Sequence, residues 1–108
     1  MDIRIETTTT SIASCLDTVK GLRAGGVAKE NIYIITNASS REIIHNNYDL
    51  RQKDGSVFSA HSLLQNINTI LTLPEIVKSG PIPEILVPYT ERIEFGSMVV
   101  AVSNPDVP

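Results

Sequence analysis

Apolar and polar residues alternate near the start of the chain, where Ile3 and Ile5 are interleaved with Asp2, Arg4 and Glu6. A period of two turns one face of a strand toward a core and the other toward water. From Ser11 the period changes. Ile12, Cys15, Leu16, Val19 and Leu22 fall on one stripe at helical spacing, which predicts a helix over about Ser11 to Ala24. The hydroxyl run Thr7 to Ser11 offers caps for its first turn, and Gly25 and Gly26 close its end, since glycine accepts the left-handed conformation there. Asn31 to Thr36 reads N-I-Y-I-I-T, a run of β-branched and aromatic residues that predicts a second strand. A strand, a helix and a strand joined by short turns form a βαβ unit, so the two strands are expected to be parallel.

The middle of the chain is less regular. Ser39 and Glu42 have the spacing of a capping box, which predicts a short helix over Arg41 to Tyr48. Asp49 to Ser59 carries charges and the turn pair Asp54 and Gly55, and is expected to form a surface loop or hairpin. Leu63, Leu64, Ile67, Ile70 and Leu71 then make another helical stripe over His61 to Leu73, after which Pro74 breaks the helix or starts a new turn. Pro88 in a helix interior would cost about 3 kcal/mol, so it is expected in the first turn of a final helix, Pro88 to Phe95, ended by Gly96. Met98 to Val102 is an unbroken apolar run, the mark of a strand covered on both faces and central in its sheet. These elements predict an α/β fold (an α+β sandwich) with a βαβ start. Its small sheet of three to four strands is expected to carry helices packed on one face, ferredoxin-like in character. One domain over residues 1–108 is expected, with an irregular, helix-containing excursion at about 37–83, the kind of segment that often carries function.

Composition narrows the function classes. With 108 residues and 42% apolar content, one core is possible and two are not. There is no Trp, and only two Phe and three Tyr, so that core must be aliphatic. A net charge of −3 with nine scattered Lys and Arg gives no long-range attraction for a phosphate backbone, and no nucleic-acid partner is expected. No window approaches the roughly 18 apolar residues that cross a bilayer, and Met1 to Thr10 has no signal-peptide core. A membrane is therefore not expected as partner, and the expected location is the cytoplasm. The single cysteine, Cys15, excludes an internal disulfide and builds no metal site alone.

Candidate chemistry is sparse. His45 and Asp49 would share a helix face at four-residue spacing, and such a pair could orient an imidazole for base work. A solvated surface pair is the favoured reading, because no nucleophile is placed beside it. His61, at a helix start, reads as a cap or surface residue. Two histidines without a zinc motif make no metal site, and no cofactor is expected. Cys15 on the apolar stripe reads as a small buried hydrophobe with an inert thiol. Gly21, Gly25 and Gly26 end a helix, whereas phosphate-binding glycines precede one. Thr9, Thr10 and Ser11 do precede a helix after a strand and could hold an anion; ordinary capping is the favoured account.

Two blocks carry a resemblance. The helix end Leu22 to Gly26, L-x-x-x-G, leads through a polar turn into the strand Asn31 to Thr36. The C-terminal stretch Tyr89 to Val102 reads Y-T-E-R-I-E-F-G-S-M-V-V-A-V. Together they resemble the heat-induced, general stress protein domain of Gram-positive bacteria. The resemblance implies a cytoplasmic, stress-associated domain without an established reaction, and it carries no catalytic residue over to this chain. The expectation is an interaction domain that binds protein, often another copy of itself, as a homodimer to which Tyr89 and Phe95 contribute. A second expectation is a small-molecule regulatory domain, since the βαβ start with Gly25, Gly26 and Val27 also resembles the amino-acid-binding ACT type. An enzyme ranks third; it would need His45 or His61 to converge with Asp49, Asp54 or Glu91.

Overall fold

A computed structural model describes residues 3–46, 49–51 and 57–103, with backbone alone for 49–51 and 57–61. In chain order the elements are β1 (Ile3–Thr9), α1 (Ile12–Ala24), β2 (Ile32–Ile35), α2 (Ala38–Asn46), β3 (Asp49–Arg51) and β4 (Val57–Ser59). There follow α3 (Ala60–Gln65), β5 (Thr69–Leu71), α4 (Leu73–Lys78), a 3-10 stretch (Glu84–Tyr89), α5 (Thr90–Glu94) and β6 (Met98–Ser103).

The apolar run near the C-terminus ends where a strand with two covered faces has to be, inside the sheet. The order is β1-β6-β2-β5. β6 pairs antiparallel with β1 and with β2, and β2 pairs parallel with β5. β1 and β2 are thus parallel, as their βαβ connection requires, but β6 lies between them. This split βαβ arrangement gives the α/β fold its ferredoxin-like character.

Alternation along β6 divides the core in two. Met98 and Val100 join Ile32 and Ile34 of β2 against Cys15, Leu16 and Val19 of α1, Ile44 of α2 and Leu63 of α3. Val99 and Ala101 turn the other way and meet Ile35 with Ile76 of α4, Leu86 of the 3-10 stretch and Ile93 of α5. The helices expected on one face are α1, α2 and α3. The other face is covered as well, by α4, the 3-10 stretch and α5, because β2 and β6 are apolar on both sides and water must be kept from each.

Local chemistry explains most boundaries. Ser11 caps α1, its Oγ accepting from the Ser14 N–H at 3.2 Å. At the far end Gly26 has φ of +96°. Val27 N–H donates to the Leu22 carbonyl at 3.0 Å and Gly26 N–H to that of Arg23 at 3.1 Å, the paired bonds of a Schellman ending. α2 begins earlier than expected. Its cap is Asn37, whose Oδ1 accepts from the Ser40 N–H at 2.8 Å, in place of the Ser39 and Glu42 box; Tyr48 lies outside the described residues.

The helix expected over His61 to Leu73 is divided. α3 stops at Gln65, and Ile70 and Leu71 belong to β5, paired with Ile34 and Ile35 of β2. Ile70 packs in the first cluster and Leu71 against the second. Consecutive residues reach opposite faces only in a strand, whereas a helix would keep both on one stripe. Pro74 then sits in the first turn of α4. β3 and β4 form the expected hairpin pairing, with Asp54 and Gly55 outside the described residues. The final helix is also shorter than expected: Pro88 lies inside the 3-10 stretch, and α5 starts only at Thr90.

Candidate functional site

The parallel strands β2 and β5 end side by side at Thr36 and Thr72. Ligands of open α/β sheets gather at such carboxyl ends of strands. From there the chain turns into α2 and α4, and between them and α5 lies a cavity of about 280 Å³. Its apolar walls are Ala38, Leu73, Pro74 and Ile93, and its polar ones are Thr36, Asn37, Thr72 and Glu94.

Most of the polar wall is occupied with its own scaffold. The Thr36 hydroxyl donates to the Ser97 carbonyl at 3.0 Å, and Asn37 Nδ2 donates to the Glu94 carbonyl at 3.0 Å. Thr72 donates both its N–H and its hydroxyl to Glu75 Oε1, each at 2.9 Å. The Arg41 guanidinium pairs with the same oxygen, so one carboxylate ties α2 to α4 beside the cavity. The Thr72 backbone and hydroxyl donors, with the positive charge of Arg41, hold the Glu75 carboxyl below its ordinary value of 4.5. With these donors used, the cavity is suited to an apolar group rather than to acid–base chemistry.

Directly after Glu94 in the chain comes the most exposed large apolar side chain among the described residues. Phe95, directly after α5, is 83% exposed. Val77, Ile85 and Val87, on the elements that cover the same face of the sheet, are about half exposed. An aromatic ring held this far into solvent is a candidate point of contact. Tyr89 is half-buried and packs against the second core cluster, with the Arg92 guanidinium 5.9 Å from its ring centre.

The residues singled out from sequence are not brought together. His45 is exposed on α2. It shares no helix with Asp49, because α2 ends at Asn46 and Asp49 opens β3, so the four-residue spacing has no helical meaning. His45 instead borders a shallow depression with Ala38, Arg41 and Glu42. Glu91 is exposed on α5; the side chain of His61, and Asp54, lie outside the described residues. Thr9 Oγ1 accepts from the Ser11 N–H at 3.0 Å, and Ser11 caps α1, which is the capping role. Thr10 is exposed. Cys15 is fully buried, its Sγ 3.9 Å from Met98 Sδ, and burial pushes its thiol up to about 12. Among the described residues no cluster of His, Cys, Asp or Glu could hold a metal ion, and no helix is long and apolar enough to cross a membrane.

The cavity itself was missed by sequence reading. Thr36 and Thr72 each follow a strand, but β5 has the spacing of a helix, so the second of those strand ends could not be seen. Compared with known proteins, the chain matches no family model, no curated protein and no solved structure.

Proposed function

We propose that this chain is a non-catalytic, stress-associated interaction domain that works in the cytoplasm by binding protein, in the first place a second copy of itself. The observation that carries the reading is the Phe95 side chain, 83% exposed. Exposing a phenylalanine forfeits about 1.5–3 kcal/mol of burial, which association would recover. The stress association rests on the two blocks that resemble the general stress domain.

The test is sedimentation equilibrium of the wild type across micromolar concentrations, with Phe95→Ser beside it. A homodimer is expected for the wild type, and for the variant a monomer with an unchanged circular dichroism spectrum. A wild type that stays monomeric throughout would refute the reading. The cavity at the ends of β2 and β5 favours a second reading, a small-molecule regulatory domain like the ACT type. A metabolite at 100 times its Kd would then raise stability by about 2.7 kcal/mol, and a flat thermal-shift screen would remove that reading.

A further inference from the structure

We propose that a recess beside the edge strand β5 binds a small neutral polyhydroxylated molecule, a monosaccharide or a cyclitol. The recess shares no lining residue with the cavity at the ends of β2 and β5, and the proposal is independent of self-association.

The sheet supplies one part of the lining. Tyr33 pairs with Thr69 and Ile35 with Leu71 across β2 and β5. Ile35 and Leu71 pack in the second core cluster, so alternation carries Tyr33 and Thr69 to that same face. β5 ends the sheet on this side, and α4 with the chain that leaves it completes a recess of about 400 Å³, in the range of roughly 300–1,000 Å³ usual for small-molecule clefts. Both parts are stiff. Ser79 N–H donates to the Ile76 carbonyl at 3.0 Å and Gly80 N–H to that of Val77 at 3.2 Å, Gly80 turns the chain with φ of +145°, and Pro81 and Pro83 fix their own φ. Asn68 is held by its Nδ2, which donates to the Glu30 carbonyl at 2.8 Å and to the Tyr33 hydroxyl at 3.1 Å. A ligand meets groups that are already in place, which lowers the cost of ordering them.

The polar groups of the lining decide the class of ligand. Tyr33 accepts from Asn68 and keeps its own proton to donate, while Asn68, with its Nδ2 committed, keeps Oδ1 to accept. The Thr69 and Ser79 hydroxyls have no hydrogen-bond partner among the described residues, and a hydroxyl both donates and accepts. Glu75 receives Thr72 and Arg41 on Oε1, which leaves Oε2 to accept. Among the described residues no Lys, Arg or His lines the recess, so nothing there answers the charge of an anion. Arg41 already offsets the one carboxylate, so a cation gains little. Donors and acceptors interleaved without net charge match adjacent hydroxyls, each of which also donates and accepts. Leu71, Ile76 and the two prolines leave apolar surface for the C–H faces of such a ligand.

The experiment follows the amide nuclear magnetic resonance spectrum of the full chain, labelled with nitrogen-15. Glucose, galactose, mannose, ribose and myo-inositol are titrated, and separately ethylammonium and inorganic phosphate, each to about 10 mM, tenfold above a Kd of about 1 mM. At least one sugar or inositol should shift the Asn68 side-chain amide and the Thr69, Ser79 and Gly80 backbone amides saturably, with ethylammonium and phosphate silent. Tyr33→Phe, Thr69→Val and Ser79→Ala each remove one hydroxyl, and each should raise that Kd about 2- to 10-fold while the amides away from the recess stay in place; Thr69 and Ser79 are exposed, so neither of their variants threatens the fold. No saturable shift from any sugar or from inositol, saturation by ethylammonium or phosphate instead, or a Kd indifferent to all of the substitutions would overturn the assignment. Shifts confined to Thr36 and Ala38 would place binding in the other cavity and overturn it in favour of the regulatory reading.

Discussion

At the scale of single residues, Cys15 shows how position decides chemistry. Its place on the helical stripe is readable from the sequence, and burial follows from the stripe facing the sheet. The thiol of the folded chain, pushed from 9.0 to about 12, keeps its proton at a pH where the unfolded chain has released its own. Stability contributed by the buried neutral thiol is therefore complete below pH 9 and is lost as pH rises through the window from 9 to 12. The loss runs at about 1.4 kcal/mol per pH unit. Measured by urea unfolding, the gap between wild type and Cys15→Ala should narrow by about that much from roughly pH 8 to roughly pH 10. A constant gap would show that the folded thiol ionises as readily as the unfolded one. Phe95 is the opposite case: it lies two positions after buried Ile93 at the end of α5, roughly opposite it around the helix, and its ring is exposed.

Among the elements, α2 and α4 owe their joint placement to one carboxylate. Glu75 accepts from the Thr72 N–H and hydroxyl and pairs with Arg41, which closes a capping box and links two helices at once. The Thr72 donors and the Arg41 charge lower its value in the folded chain. Its stabilising effect is present above the ordinary value of 4.5 and is lost as pH falls below it. Glu75→Gln should lower the melting temperature at neutral pH and flatten its fall on acidification below that value, as read by circular dichroism. A parallel fall in both proteins would show that the carboxylate is not protected by folding. The Thr72 and Glu75 spacing is visible in the sequence, but Arg41 lies 34 positions earlier, and no local pattern connects them.

Across the molecule, cohesion centres on β6, every residue of which is buried. Ile34 of β2 lies opposite Val100 of β6, both at zero exposure, in the cluster beneath α1, α2 and α3. Ile34→Ala should cost about 2–5 kcal/mol, a large part of the 5–15 kcal/mol that holds a typical domain folded. Because the same two strands also supply the second cluster, far-ultraviolet circular dichroism and tyrosine fluorescence should report one coincident urea transition for the variant. Two separated transitions would mean that the faces of the sheet unfold independently.

The sequence by itself determined α1 and β2 within a residue or two, the start of β1, which runs on through Thr7 to Thr9 where a capping run was expected, and the centrality of β6. Each has an unambiguous period or an unbroken apolar run, and Ser11 and Gly26 mark their ends by local hydrogen bonding. Only the tertiary structure decided the middle. Ile67, Ile70 and Leu71 satisfy a helical spacing equally well, and it was the free edge of β2, with apolar cover needed on both faces, that drew Thr69–Leu71 into the sheet. The cavity shares that origin, since it exists only because β2 and β5 end together and the chain returns through α5 to close a third wall. Contacts among residues 36, 72 and 93 depend on where distant strands pair, and that pairing follows from burial summed over the whole sheet rather than from any one segment's pattern.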